Sequence, residues 1–237
     1  SLSMKDEQAA LSGLGGEPPV FAEFTDALLA ELTDVEDFHV GVVTSEPGVS
    51  LLHTHSGFPV EPESPETDCG LPEGQRWIVG PSPLLEEQFA CIGATRSGVD
   101  EHTALNGALA LLDPANEGFL RDDSLLFVVM ITDEDTQDYV KAWMVEIHDL
   151  YMEAVGGDAS RLLMLAIIGD QGVFEMPKTL CTGPYGTAAP GRRITSIVRS
   201  FGERGLTQDI CAGSMAATFA GVLDDVVSAC EAVTPIP

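Results

Sequence analysis

Apolar and polar positions along this chain follow two different periods, and the segments they define take turns. From Val20 to Leu32 the apolar residues Phe21, Phe24, Leu28, Leu29 and Leu32 recur at spacings of three and four, which is one face of a helix. Leu125 to Ile131 reads L-L-F-V-V-M-I and Leu162 to Ile168 reads L-L-M-L-A-I-I, with no polar position in either. Short unbroken runs of this kind predict strands buried on both faces of a parallel sheet. Shorter apolar stretches predict further strands over Phe38 to Thr44, Trp77 to Val79 and Thr207 to Ile210. Helices are predicted over Lys5 to Leu14, Leu84 to Ile92, Glu101 to Leu112 and Tyr139 to Val155, the last ending at Gly156-Gly157. Two more follow, over Gly191 to Phe201 and Ser214 to Ala232.

Strands alternating with helices predict an α/β fold: three layers, with a mostly parallel, doubly wound, Rossmann-like sheet covered by helices on both faces. Length and composition predict one domain over residues 1–237. Apolar periodicity disappears in two stretches, about 45–75 and 171–190, which predict long loop insertions.

The run ending at Ile131 passes straight into Thr132, Asp133, Glu134 and Asp135. The carboxyl ends of strands are where open α/β sheets place their ligands, and acids crowded there repel one another unless a cation or a donor network lies among them. Asp133 or Asp135 as the N-cap of the following helix is an equally weighted reading. Glu134, Asp135 and Asp138 do not match the spacing of an EF-hand loop and read as solvated acids or a cap.

The charge balance narrows the partners. Eleven basic residues against 38 acidic ones leave a net charge of −27. Such a chain is repelled by nucleic-acid backbones and by anionic membrane surfaces. Cations, a basic protein surface, or plain solubility in a salty medium remain. No apolar run approaches the ~20 residues a membrane-spanning helix requires.

Cys69, Cys91, Cys181, Cys211 and Cys230 form no C-x-x-C pair, which argues against a zinc ribbon or a redox motif. Their loop-like positions suit disulfides, expected as Cys69–Cys91 and Cys181–Cys211, each stabilising by ~3 kcal/mol. Cys230 is then left over. That pattern points to an oxidising compartment, against the alternative of five reduced cysteines in a cytosolic protein. His53 and His55 could converge on zinc, but no third ligand is apparent. There is no G-x-S-x-G elbow and no P-loop, so no catalytic motif supports an enzyme.

Ser1-Leu2-Ser3-Met4-Lys5-Asp6-Glu7-Gln8, taken with the strand that ends T-D-E-D, resembles the von Willebrand factor A (VWA) family. S-x-S followed by M-x-D-E-Q is similar in particular to a group of secreted bacterial lipoproteins that carry this domain. The resemblance extends through F-H-V-G-V-V-T-S (Phe38 to Ser45), T-A-L-N-G-A-L (Thr103 to Leu109) and D-I-C-A-G (Asp209 to Gly213). The family's metal-ion-dependent adhesion site (MIDAS) uses a D-x-S-x-S loop after its first strand, a Thr from a second loop and an Asp after its fourth strand. This sequence starts within the first of these motifs, and the family's leading Asp and first strand have no counterpart in it.

The resemblance implies Mg²⁺, Ca²⁺ or Mn²⁺ held by Ser1, Ser3, Thr103 and Asp133, with Thr95 and Asp135 as alternative ligands. An N-cap role for Thr103 stands beside its role as a ligand. Adhesive members of the family bind a partner's acidic side chain through the cation. The expected function is therefore an exported, metal-dependent binding domain for a protein or cell-surface ligand that offers a carboxylate. Its expected location is periplasmic, anchored to the outer membrane, or extracellular. A metal-free interaction scaffold is the alternative, and a metal-dependent hydrolase using the acids after Met130 is a more distant one.

Overall fold

The computed structural model describes residues 4–12, 20–31, 36–46, 48–56, 67–95, 102–136, 141–169 and 180–233. In its first half the elements are α1 (Lys5–Ser12), α2 (Val20–Glu31), β1 (Phe38–Val40), β2 (His55–Ser56), β3 (Thr67–Asp68), β4 (Ile78–Gly80), α3 (Leu85–Gly93) and α4 (Thr103–Leu112). The second half holds β5 (Leu126–Ile131), α5 (Lys141–Ala154), β6 (Leu162–Ile168), β7 (Cys181–Gly183), β8 (Gly186–Ala188), α6 (Arg192–Arg199), β9 (Gly205–Asp209), α7 (Met215–Ala220) and α8 (Leu223–Ala232). The fold is mixed α/β, and its centre is a small parallel sheet of three strands in the order β5-β6-β9.

All seven residues of β6 are buried, and the reason is visible in what each face meets. Leu162, Met164, Ala166 and Ile168 pack among Ala104 and Ala108 of α4, Ile147 and Tyr151 of α5, and Ile194 and Ile197 of α6. Leu163, Leu165 and Ile167 pack among Val20 and Phe24 of α2, Met215 and Phe219 of α7, and Val226 and Ala229 of α8. A strand with helices on both faces needs apolar side chains at every position, which is why its sequence shows no alternation. Each fully buried Leu, Ile or Met side chain stabilises by roughly 1.5–3 kcal/mol. The connections around this sheet are clipped by Arg161, which is 7% exposed and donates to the carbonyls of Ser124, Val155 and Arg121.

Three expectations are corrected. The segment beginning at Phe38 does not join the parallel sheet; β1 is three residues long and pairs antiparallel with β4, Phe38 opposite Gly80. The stretch expected to be irregular up to Pro190 contains the hairpin β7–β8, turning at Pro184-Tyr185; residues 170–179 lie outside the described ones. The helix expected over Ser214 to Ala232 is two helices, broken at Gly221-Val222, with Ser214 Oγ capping the first through Ala217 N–H at 3.2 Å.

One edge of β5 is unpaired among the described residues. Thr132 N donates to Ile167 O, so by alternation the N–H and C=O groups of Phe127, Val129 and Ile131 face away from β6, where no described strand meets them.

Cys69 is bonded to Cys91 with Cα atoms 5.5 Å apart, and Cys181 to Cys211 at 6.0 Å, the two pairings expected. The first joins the end of β3 to α3, and the second joins the β7–β8 hairpin to the end of β9. Cys230 is a free, half-buried thiol whose pKa is raised by burial and by the charge of Glu231. Among the described residues no helix is long and apolar enough to cross a membrane.

Candidate functional site

The carboxyl end of β5 delivers Thr132 and Asp133 into a nearly closed environment, 2% and 4% exposed. Thr132 Oγ1 accepts from Glu134 N–H at 3.1 Å, which turns the chain sharply and aims Asp133 inward. The Asp133 backbone is held from two sides. Its carbonyl accepts from Ala189 N–H at 2.7 Å, just after β8, and its N–H points at the Met4 sulfur at 3.1 Å. Its carboxylate has a different status: Oδ1 is buried and has no hydrogen-bond partner among the described residues. Residues 137–140, which lead into α5, lie outside the described ones, and with them the expected cap of that helix by Asp133 or Asp135.

Asp135 is bound to a different helix, α6. Its carboxylate accepts from Arg193 N–H at 2.9 Å and Ile194 N–H at 3.4 Å, at the start of α6, while Arg193 Nη1 reaches Thr136 O at 2.7 Å. Burial raises the Asp135 pKa against the lowering effect of these backbone donors. Its oxygens are therefore engaged with α6.

Helix α1 lies over this end of the sheet and brings a residue that sequence reasoning did not single out. Met4, Glu7 and Ala10 are spaced by three and are all buried, at 6%, 4% and 6% exposure. Met4 fixes the direction of that face toward Asp133, and Glu7 lies one turn further along. Glu7 Oε2 is buried without a partner among the described residues. Its pKa is raised from 4.5 to about 7, first by burial and then, among the raising influences, by the charges of Asp133 and Asp6. An acid on a short helix reads from sequence as a solvated position, and only the tertiary contact through Met4 marks this one as buried.

Thr95 is tied to the same helix: it is 7% exposed, and its Oγ1 accepts from Gln8 Nε2 at 3.0 Å. Thr103 is the first residue of α4 and does not cap it; the capping position is His102, whose side chain makes no cap bond. The Thr103 hydroxyl is buried without a partner among the described residues. The start of α4 is anchored by Asn106, 1% exposed, whose Nδ2 donates to the carbonyl of Thr44 at 2.8 Å and also to that of Glu46. Ser1 and Ser3 lie outside the described residues.

Two other places deserve comparison. Cys181, Asp209 and Cys211 bring two sulfurs and a carboxylate within 4.8 Å of one another. The sulfurs are bonded to each other at 2.05 Å, and a disulfide offers no thiolate, so a single carboxylate remains there and a metal is poorly served. An open cavity of about 320 Å³ is lined by Thr54, His55, Asp68, Glu73 and Arg76 among others. Among the described residues His53 and His55 gather no third metal-ligating side chain, so zinc has no support there.

The carboxyl edge of β5 thus combines buried, unpartnered oxygens on Asp133 and Glu7, the type of donor that hard divalent cations take. Comparison with protein-family models, with curated proteins and with solved structures finds no match to this chain.

Proposed function

We propose that this chain is an exported VWA-like binding domain that recognises a protein or cell-surface ligand through a divalent cation at the carboxyl edge of its parallel sheet. The observation that carries the reading is the Asp133 carboxylate, 4% exposed at the end of β5 with Oδ1 unpartnered. A buried ionised oxygen left without a donor is costly, and a cation removes that cost. The fit is one of donor type: Asp133 and Thr103 each keep a buried oxygen with no partner among the described residues, and Mg²⁺, Ca²⁺ and Mn²⁺ are oxygen-seeking cations.

Supporting the VWA-like, three-layer, doubly wound arrangement is the packing of β6, which meets different helices with its two sets of alternate residues. Export is supported by the two disulfides. A protein partner, and not nucleic acid, is favoured by the net charge of −27. A carboxylate from that partner, displacing water from the cation, would make recognition depend on the metal.

Isothermal titration of metal-stripped protein with Mg²⁺, Ca²⁺ and Mn²⁺ tests this. Wild type is expected to bind one of them saturably, and Asp133→Ala to lose that binding while its circular dichroism stays the same. Unchanged affinity in the variant refutes the role of Asp133. A wild type that binds none of the three leaves the metal-free interaction scaffold as the better reading.

A further inference from the structure

We propose that Glu7 is a second carboxylate of this site, so that the cation clamps helix α1 onto the end of β5; the inference rests on the reading of Asp133 above. The geometry comes from two contacts. Met4 Sδ lies 3.1 Å from Asp133 N, which fixes the first turn of the chain's described start against the strand end. Gln8 Nε2 donates to Thr95 Oγ1 at 3.0 Å, which fixes the opposite side of the same turn against the end of α3. Glu7 lies between them, 4% exposed, one turn from the Met4 that meets Asp133.

Two carboxyl groups are thereby enclosed within reach of each other's field, each 4% exposed, and each keeps one oxygen that no described group satisfies. A solvated pair of surface acids would meet neither condition. Like charges enclosed together repel strongly where water is scarce. A hard divalent cation between them converts that repulsion into two attractions and satisfies both orphaned oxygens at once.

The consequence separates this site from one built on Asp133 alone. Two carboxylates balance the charge of a divalent cation, so the ion is held before any partner arrives. Because Glu7 belongs to α1 and Asp133 to the sheet, holding the ion also holds the helix. Metal occupancy and the docking of α1 become one equilibrium. Packing of α1 against the rest is modest: it is eight residues long, and the described buried side chains at its sheet-facing side are Met4, Glu7 and Ala10.

The test pairs calorimetry with hydrogen exchange of the amides in residues 5–12, on wild type, Glu7→Gln and Asp133→Asn, using Ca²⁺ and Mn²⁺ as probes. Wild type is expected to bind, and to slow exchange across α1 when the cation is present. Glu7→Gln keeps the shape and removes the charge; it is expected to bind at least ~10-fold more weakly and to lose the cation-dependent protection. Thermal melts in EDTA verify that this variant is folded. If Glu7→Gln binds as tightly as wild type and α1 is still protected while Asp133→Asn loses binding, the Glu7 assignment is wrong and the Asp133 reading stands. If wild type binds neither cation, both fall together.

Discussion

Gly169→Ala is expected to destabilise the protein by about 3 kcal/mol, the upper part of the range for overpacking, and to weaken cation binding at the same time. Gly169 follows the last residue of β6 and forms a parallel bridge with Pro190. A Cβ placed on it would stand 2.2 Å from the Ala189 carbonyl oxygen and 2.8 Å from its carbonyl carbon. Both are backbone atoms, so no flexible side-chain end can swing away to make room. The obstructed residue is the one that matters at the site, because Ala189 N–H holds the Asp133 carbonyl at 2.7 Å. Forcing that strand of chain outward therefore disturbs Asp133 without touching its carboxylate. Gly213→Ala is the control: a Cβ there meets nothing within 4 Å, and stability is expected to stay within ~0.5 kcal/mol of wild type. Urea unfolding of the two variants, followed by calcium titration, provides the comparison. A Gly169→Ala protein as stable as wild type would mean that β6 and the chain after β8 do not approach as closely as described.

The contact between Gly169 and Ala189 also shows where sequence reasoning stopped. The runs Leu125 to Ile131 and Leu162 to Ile168 were legible as buried strands because burial on two faces leaves no polar position, and this signal is local. The acids after Ile131 were legible as a strand end for the same reason. What is not local was not legible. Phe38 to Thr44 is apolar enough for a central strand, yet β1 ends at Val40 and pairs with β4, a choice made by Phe38, whose ring fills the space beside Gly80. The hairpin β7–β8 carries no alternation of apolar residues; its disulfide to Cys211 and the burial of Ala188, with Tyr185 beside it, against the core hold it in place. Sequence offered Asp133 as a ligand with Asp135 as its alternative, and either as a cap of the following helix. What sequence could not show is that the Asp135 carboxylate meets the N–H groups at the start of α6, 58 residues away. Glu7 was beyond inference, because nothing within its own helix says that Met4 will lie against Asp133.

That burial of Glu7 has a measurable signature in the metal-free protein. In EDTA, stability is expected to fall as pH rises from about 4.5 through 7, and the fall is expected to be absent from Glu7→Gln. In the folded state the Glu7 pKa stands at about 7, against its ordinary 4.5 when unfolded. Below 4.5 both states hold the proton and the difference vanishes. Between the two values the native state keeps a proton that the unfolded chain has released, so each step up in pH favours unfolding. A shift of this size corresponds to up to ~3 kcal/mol, less if water reaches the carboxyl during brief openings of α1. Asp135, also raised by burial, slopes the same way. Asp113 and Asp158 are lowered, first by hydrogen bonds from Ser50 and Ser160, and act in the opposite direction at acid pH. The difference between wild type and Glu7→Gln cancels these shared contributions and isolates one carboxyl. If the two curves run parallel from pH 4.5 to 8, Glu7 is hydrated in solution, and the enclosure that a bound cation would relieve is not there.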